Sequence, residues 1–403
     1  MTGALQGKNI VLCVTGGIAA YKAADLTSRL RKMGAQVYLI MTESATHFIT
    51  PLTLEVLSEH RVVTDMFDRT FTWEVEHISL AKRADVFVIA PATANIIGKA
   101  VHGIADDMVS TTLMATKAPI VIAPAMNTNM YENPTVQSNL EILKSRGVTV
   151  VEPASGRLAC GDTGKGKLAD PADIAHAIEI AATPQDLKGL SVLVTAGPTR
   201  EAMDPVRFIS NHSTGKMGYA LAQRAQMRGA QVTLVSGPVS LTPPTGVTLV
   251  PVSSAQQMYD AVLTHLPQQD WVIKAAAVGD YRPATQASDK LKKHADDLSV
   301  TLVKNPDILK EIGQRKRADQ TVCGFSMETR DLIANSTAKL KSKNCDMLVA
   351  NNLKIEGAGF AHDTNVATLL YRDGSSEPLD LMQKDSLADI VLDRMLTLHR
   401  KKG

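Results

Sequence analysis

The sequence predicts an α/β protein of two doubly wound domains, and three observations carry that prediction. Short apolar runs suited to buried parallel strands alternate with segments of helical period through both halves. The chain has 403 residues, more than one ordinary hydrophobic core fills. The opening pattern also occurs twice. LQGKNIVLCVTGG near the N-terminus returns as LKGLSVLVTAGP from Leu187, and RLRKMGAQVYLIM returns as RAQMRGAQVTLVS. Each half therefore opens with its own β-α-β unit. The boundary is placed at residue 188, within the Pro- and Gly-containing segment 183–189, giving domains 1–188 and 189–403.

In the first half the apolar runs predict strands at 9–15, 36–41, 85–90, 119–123 and 148–151. Three- and four-residue apolar spacing predicts a helix over 18–33, stopped by Gly34. In the second half, residues 199–212 intervene between the first strand and its helix, at the strand end where α/β folds take ligands. Further strands are predicted at 248–252, 270–276, 322–325 and 346–350, with helices at 254–266 and 329–342. Residues 366–371 and the turn 372–374 predict a late hairpin, and 384–399 a closing helix.

Hydrophobic residues make up 44% and charged residues 21%, with 43 Lys plus Arg against 41 Asp plus Glu. Disorder and polybasic nucleic-acid binding are both disfavoured, and small-molecule partners are expected. The four cysteines, Cys13, Cys160, Cys323 and Cys345, form no CxxC pair, so neither a disulfide framework nor structural zinc is expected. No 18 apolar residues run together and no signal segment opens the chain. A soluble, cytoplasmic protein without a membrane or nucleic-acid partner is the expectation.

Several motifs carry chemistry. Thr15-Gly16-Gly17-Ile18-Ala19 turns from strand to helix and either binds a phosphate or simply turns tightly; it lacks the GxGxxG spacing of dinucleotide sites. Thr42 offers a hydroxyl to the same ligand or caps a helix. GDTGKGK at 161–167 has Leu168 where a P-loop needs Ser or Thr, and Ser213-Thr214-Gly215-Lys216 lacks the first glycine, so neither is a Walker motif. Pro124-Ala125-Met126-Asn127 ends a strand and suits a flat apolar ligand with a polar clamp, or a helix cap. A lone His77 reads as a surface residue or a base. Cys160 lies in a Gly-rich loop, where a thiol delivers a proton more readily than in the strand settings of Cys13 and Cys323.

Taken in order, GGIAAYK, His77-Ile78, Pro91-Ala92-Thr93-Ala94-Asn95, Pro124-Ala125-Met126-Asn127 and ACGDTGKG resemble the flavin-dependent cysteine decarboxylases. The second half carries TAGPTRE at 195–201, DPVRFISNHS at 204–213, the run 275–283 and Lys304-Asn305-Pro306-Asp307-Ile308. With these the whole chain resembles the bacterial bifunctional coenzyme A biosynthesis enzymes, a phosphopantothenoylcysteine decarboxylase fused to a phosphopantothenate-cysteine ligase.

For the first domain the resemblance implies a flavodoxin-like fold that binds FMN through Gly16, Gly17, Ile18, Ala19, Thr42, Pro91, Ala92, Thr93, Ser110 and Met126. His77 is implied as the base at the substrate, Asn127 as the holder of its carboxylate, and Cys160 as the donor that protonates the enethiolate. Oxidising the cysteine thiol end to a thioaldehyde gives the electrons left by CO2 a sink, and reduced flavin returns the hydride. Tyr131 stands where relatives often carry Trp.

For the second domain the resemblance implies a Rossmann-like ligase. CTP activates 4'-phosphopantothenate as an acyl-cytidylate, cysteine displaces CMP, and magnesium assists. The implied nucleotide contacts are Lys274, Ala275, Ala276, Asp280, Lys290, Asn305, Pro306, Asp307, Ile308, Phe325, Lys339 and Lys343; Asn211 handles the acyl-cytidylate, and Asp280 also serves the metal. On their own, without the motifs, Lys290, Lys339 and Lys343 read as solvated surface lysines. Gly279 departs from the Ala or Ser of many relatives, and Ala202-Met203 from their Pro. A large homo-oligomer of flavin-domain trimers and ligase-domain dimers is also implied. Two rivals stand beside this reading. A nicotinamide-dependent oxidoreductase is disfavoured by the missing GxGxxG, and a non-catalytic flavin-binding regulator by the joint presence of His77, Asn127 and Cys160.

Overall fold

A computed structural model describes residues 5–67, 75–157, 163–291, 299–328, 332–352 and 362–402. Its contacts divide the chain into Met1–Pro184 and Gln185–Gly403. Residues 185–188, placed in the first domain by sequence, pack with the second unit: Leu187 is fully buried in its core and donates its amide to the Arg228 carbonyl at 3.0 Å.

The first unit runs β1 (Asn9–Val14), α1 (Ala23–Lys32), β2 (Gln36–Met41), α2 (Glu43–Thr46), α3 (Pro51–Ser58), α4 (Glu76–Arg83), β3 (Val86–Ala92), α5 (Ala94–His102), α6 (Met108–Ala115), β4 (Ile120–Pro124), α7 (Thr128–Tyr131), α8 (Pro134–Ser145), β5 (Thr149–Val150), β6 (Ala154–Arg157), β7 (Thr163–Lys167) and α9 (Pro171–Ala182). The main sheet is parallel in the order β2-β1-β3-β4-β5. Side chains alternate across a strand, so β1 feeds two cores. Ile10, Leu12 and Val14 meet α1 and α9 on one face, while Val11 and Cys13 meet α4, α5, α6 and α8 on the other. The helix expected over 18–33 is divided: a 3-10 turn, Ile18–Lys22, precedes α1. That tighter turn buries Ala20 while leaving Ile18 and Tyr21 more than half exposed.

The second unit runs β8 (Ser191–Ala196), β9 (Arg200–Ala202), β10 (Phe208–Ser210), α10 (Lys216–Met227), β11 (Gln231–Ser236), β12 (Thr248–Pro251), α11 (Ala255–His265), β13 (Trp271–Lys274), β14 (Tyr281–Pro283), β15 (Leu302–Lys304), α12 (Ile308–Arg315), β16 (Thr321–Glu328), α13 (Leu332–Ser342), β17 (Met347–Asn352), β18 (Thr364–Tyr371), β19 (Ser376–Gln383) and α14 (Lys384–Arg400). The sheet order is β12-β11-β8-β13-β16-β17-β18-β19. The first six strands are parallel and wind outward from β8 in both directions; the expected hairpin β18–β19 adds the antiparallel edge.

The intervening residues 199–212 form a hairpin, β9 against β10. Buried Asp204 anchors its tip, accepting from the Arg207 amide at 2.7 Å, the Arg207 guanidinium at 2.6 Å and the Leu291 amide at 3.1 Å. Among the described residues no helix is long and apolar enough to cross a membrane.

Candidate active sites

In each unit a cleft opens at the carboxyl edge of the parallel sheet, beside the pair of strands where the winding direction reverses. The first lies beyond β1 and β3 and has a volume of about 510 Å³. Its floor is set by Thr15, fully enclosed, whose hydroxyl donates to the Pro91 carbonyl at 2.7 Å and accepts from the Thr93 amide at 3.2 Å. Gly16 has no room for a side chain, since a Cβ there stands 2.3 Å from the Ser44 Cβ and 2.9 Å from the Ser44 carbonyl carbon. The turn can approach α2 only as glycine. Gly17, Ile18 and Ala19 continue the wall, and Pro91, Thr93, Met126 and Asn127 face them.

The β6–β7 hairpin closes one side. The Met126 amide donates to the Gly166 carbonyl at 2.9 Å, and a Cβ on Gly166 meets the Met126 carbonyl oxygen at 2.4 Å. Lys22 and Lys167 also line this cleft. Burial, and then the positive charge of Lys167, hold the Lys22 ammonium below its usual range. The cleft thus pairs an apolar wall of Ile18, Met126 and Met130 with backbone amides and two cations, a combination suited to a flat ring carrying a phosphate.

The second cleft, about 200 Å³, lies where β8 and β13 diverge. Lys274 ends β13; its Nζ donates to the Ala276 carbonyl at 3.3 Å. Burial, and then nearby Lys339, push this ammonium down to about 8. Ala275, Ala276, Phe325 and Lys339 line the same space, together with the loop Ser213–Gly215 and the first turn of α10. That helix comes close because residue 218 is glycine: a Cβ there stands 2.6 Å from the Ala196 Cβ and 3.0 Å from the Thr195 carbonyl oxygen.

A family model described as "Flavoprotein" matches residues 2–182, and one described as "DNA/pantothenate metabolism flavoprotein C-terminal domain" matches residues 187–398. The Coenzyme A biosynthesis bifunctional protein CoaBC of Bacillus subtilis is 47% identical over 403 residues, covering 99% of both chains. The chain belongs to this bifunctional coenzyme A biosynthesis family. It is a bifunctional enzyme whose N-terminal unit is the flavoprotein domain. Among solved structures, the C-terminal domain of a protein of the same name is 41% identical, covering 54% of this chain and 99% of that one with a TM-score of 0.47. A mutant PPC decarboxylase complexed with pantothenoylaminoethenethiol is 33% identical, covering 43% and 97%, with a TM-score of 0.40.

Of the flavin contacts that the family resemblance implied, Gly16, Gly17, Ile18, Ala19, Pro91, Thr93 and Met126 come together in the first cleft, with Asn127 beside them. Others lie outside its lining. Thr42 caps α2, accepting from the Ala45 amide at 3.3 Å. Ala92 is buried in β3, and Ser110 sits in a capping box with Asp107 at the start of α6. Asn127 caps α7, its Oδ1 accepting from the Asn129 amide at 2.9 Å. His77 occupies the first turn of α4; this helix feeds directly into β3, so its N-terminus stands at the same sheet edge as the cleft. Cys160 lies outside the described residues.

In the second unit, Lys274, Ala275, Ala276, Phe325 and Lys339 share the cleft. Asn211 donates its Nδ2 to the Ala277 carbonyl at 3.0 Å, at the same strand end. The turn at Gly279 and Asp280 is tied to Asn305, whose side chain donates to the Gly279 carbonyl at 2.8 Å and whose amide donates to the Asp280 carbonyl at 2.9 Å. Pro306 follows in that loop, Asp307 caps α12, and Ile308 is core. Lys343 falls one residue beyond α13 rather than within it, and pairs with Asp307. Lys290 is exposed beside the β9–β10 hairpin anchor. Among the described residues no three His, Cys, Asp or Glu side chains converge into a metal cage.

Sequence reasoning missed Lys167 in the first cleft, and Lys216, Asn351, Asn365 and Lys384 in the second, and it quoted Tyr21 and Lys22 only within the GGIAAYK motif without giving them a role. A usable signal was present for two of them. Lys167 and Lys216 belong to the two Gly-Lys sequences rejected as P-loops, and both still deliver a lysine to a cleft.

Proposed function

We propose that the second unit joins 4'-phosphopantothenate to cysteine with CTP through an acyl-cytidylate, and that the first unit converts the product to 4'-phosphopantetheine with FMN. The observation that carries this reading is the pairing, in one chain, of an apolar, amide-lined cleft with a lysine-lined cleft, each at the carboxyl edge of its sheet.

The first cleft fits FMN. Gly16 clears the approach for a phosphate, the amides of 17–19 face it with Lys22 nearby, and Ile18 and Met126 offer the ring an apolar bed. When bound, FMN supplies the two-electron sink that decarboxylation of a cysteine requires. The chain's own residues do the rest. Asn127 orients the substrate carboxylate, His77 takes a proton, and Cys160 returns one to the enethiolate carbon. His77 serves a site completed by neighbouring subunits, the flavin units being trimeric and the ligase units dimeric.

In the ligase unit, Lys274 and Lys339 hold the nucleotide phosphates, Phe325 with the loop 305–308 borders the base and ribose, and Asn211 orients the acyl-cytidylate. Asp280 and Lys290 complete the nucleotide site. Asp280 would be the protein ligand of a magnesium ion, which would neutralise charge on the phosphates and needs few carboxylates. The enzyme works in the cytoplasm.

One coupled experiment tests both halves. Purified protein given 4'-phosphopantothenate, cysteine, CTP and magnesium is expected to yield CMP, CO2 and 4'-phosphopantetheine; absence of CMP defeats the ligase reading. In the same assay Cys160→Ser is expected to release CO2 and accumulate the oxidised enethiol. Normal saturated thiol from that variant removes Cys160 from the donor role.

A further inference from the structure

We propose that Lys384, acting with Lys216, binds the diphosphate end of the nucleotide in the ligase cleft and stabilises it as it departs, a role that rests on the nucleotide-dependent ligation proposed above.

Four lysines from four separate elements line this cleft: Lys274 at the end of β13, Lys339 on α13, Lys216 opening α10 and Lys384 opening α14. None of the described lining residues is a carboxylate. Lys384 is the unusual member, because it is only 7% exposed. Its Nζ donates to the His362 carbonyl, and Asp363 lies close enough to act on it. Asp363 itself is largely exposed and pairs with Lys216 at 2.7 Å. Burial, then repulsion by Lys216, hold the Lys384 ammonium below its usual range, with Asp363 acting in the other direction. Asp363 offsets part of the repulsion between the two ammonium groups, and a cleft into which four separate elements each bring a lysine suits a polyanion.

The location selects the diphosphate. α10 follows the β8 end and Lys274 ends β13, the two strands that flank the reversal of winding. Phe325, Lys274 and Lys339 stand in the same cavity as Lys216 and Lys384, so one bound nucleotide reaches both groups of lysines. In the step proposed, a carboxylate oxygen attacks the α-phosphorus and the bond from that phosphorus to the bridging oxygen breaks. The bonding pair leaves with the diphosphate. Negative charge grows on the departing group, where two fixed cations lower the barrier most. Neither an external oxidant nor a reductant is required.

The test uses the full chain. Lys384→Met keeps the length and apolar stem while removing the charge, and Lys384→Arg keeps a cation. The readouts are the KM for CTP, product inhibition by inorganic diphosphate, the KM for 4'-phosphopantothenate, and calorimetric titration of inorganic diphosphate into the resting protein. Loss of one charged hydrogen bond predicts at least about a tenfold weakening of diphosphate binding and a similar rise in the KM for CTP. The KM for 4'-phosphopantothenate stays unchanged, and the Arg variant recovers most of the loss. Unaltered diphosphate binding in Lys384→Met overturns the proposal. So does a change confined to the 4'-phosphopantothenate KM, which assigns the pair to the other substrate's phosphate. The unfolding midpoint of the ligase unit reports whether the variant folds; if it does not, Lys216→Met carries the same measurements. Should the native protein make no CMP, the ligase reading fails, while the diphosphate titration still decides the role of Lys384.

Discussion

Lys274 shows how a single half-buried cation ties pH to both stability and binding. Its ammonium, pushed to about 8 from a usual 10.5, is disfavoured by folding, so the folded unit gains stability as pH rises from about 8 toward 10.5. In the reading proposed above, nucleotide binding needs the charged form and moves the other way. The expected profile is a fall in kcat/KM for CTP above about pH 8 while the unfolding midpoint climbs, with Lys274→Arg removing both limbs. A parallel loss of activity and stability contradicts this. Sequence placed Lys274 inside a strand predicted at 270–276 and the resemblance made it a nucleotide contact, while only its setting beside Lys339 gives it a shifted titration. Thr42 illustrates the converse: both its readings were legible, and the Ala45 amide shows that the hydroxyl is engaged in capping. Tyr131 adds a detail that a ring-for-ring comparison with Trp hides. Its hydroxyl donates to Glu152 at 2.9 Å, and Lys165, foremost, holds that carboxyl down at about 2.

At the scale of elements, the strand–helix junctions place the residues that line both clefts. Period-two and period-3.6 patterns located most strands and helices because burial on both sheet faces demands unbroken apolar runs. The β9–β10 and β14–β15 hairpins were not legible as strands, since their residues are largely exposed and held by polar anchors such as Asp204 and Asn305. Lys384 escaped notice for a related reason: it looks like the polar first residue of an amphipathic helix, and only the strand order brings that helix start to the cleft. The junction at Gly218 is testable. An alanine there gains about 1 kcal/mol of helix propensity but meets the Ala196 Cβ at 2.6 Å and backbone at 3.0 Å, an overpacking cost of about 1–3 kcal/mol. Gly218→Ala is therefore expected to lower the ligase unit's stability by about 1 kcal/mol in urea denaturation and to raise the KM for CTP. Greater stability with unchanged KM means the helix relaxes without displacing the cleft.

For the whole molecule, the repeated opening motif made the two-unit organisation legible, but the boundary itself depended on contacts far apart in sequence. Arg228, almost fully buried, pairs with Asp186 at 2.7 Å and Asp393 at 2.8 Å. Beginning the second unit at residue 189 removes Asp186 together with buried Leu187. Beginning it at 185 keeps both. The longer fragment is expected to be more stable by at least about 3 kcal/mol, since loss of buried Leu187 alone is of that order and loss of Asp186, softened by the remaining Asp393, adds to it. Equal urea midpoints for the two fragments would show that residues 185–188 are merely tethered.

Four lysines among the described residues of the ligase cleft also bear on which nucleotides it attracts. Lysines register phosphate charge and are indifferent to the heterocycle, so attraction alone admits purine and pyrimidine triphosphates equally. In the nucleotide reading proposed above, preference among bases arises apart from these lysines, along Phe325 and the 305–308 loop. Abundant cellular polyanions then act as competitors whose grip weakens with ionic strength, while base preference persists.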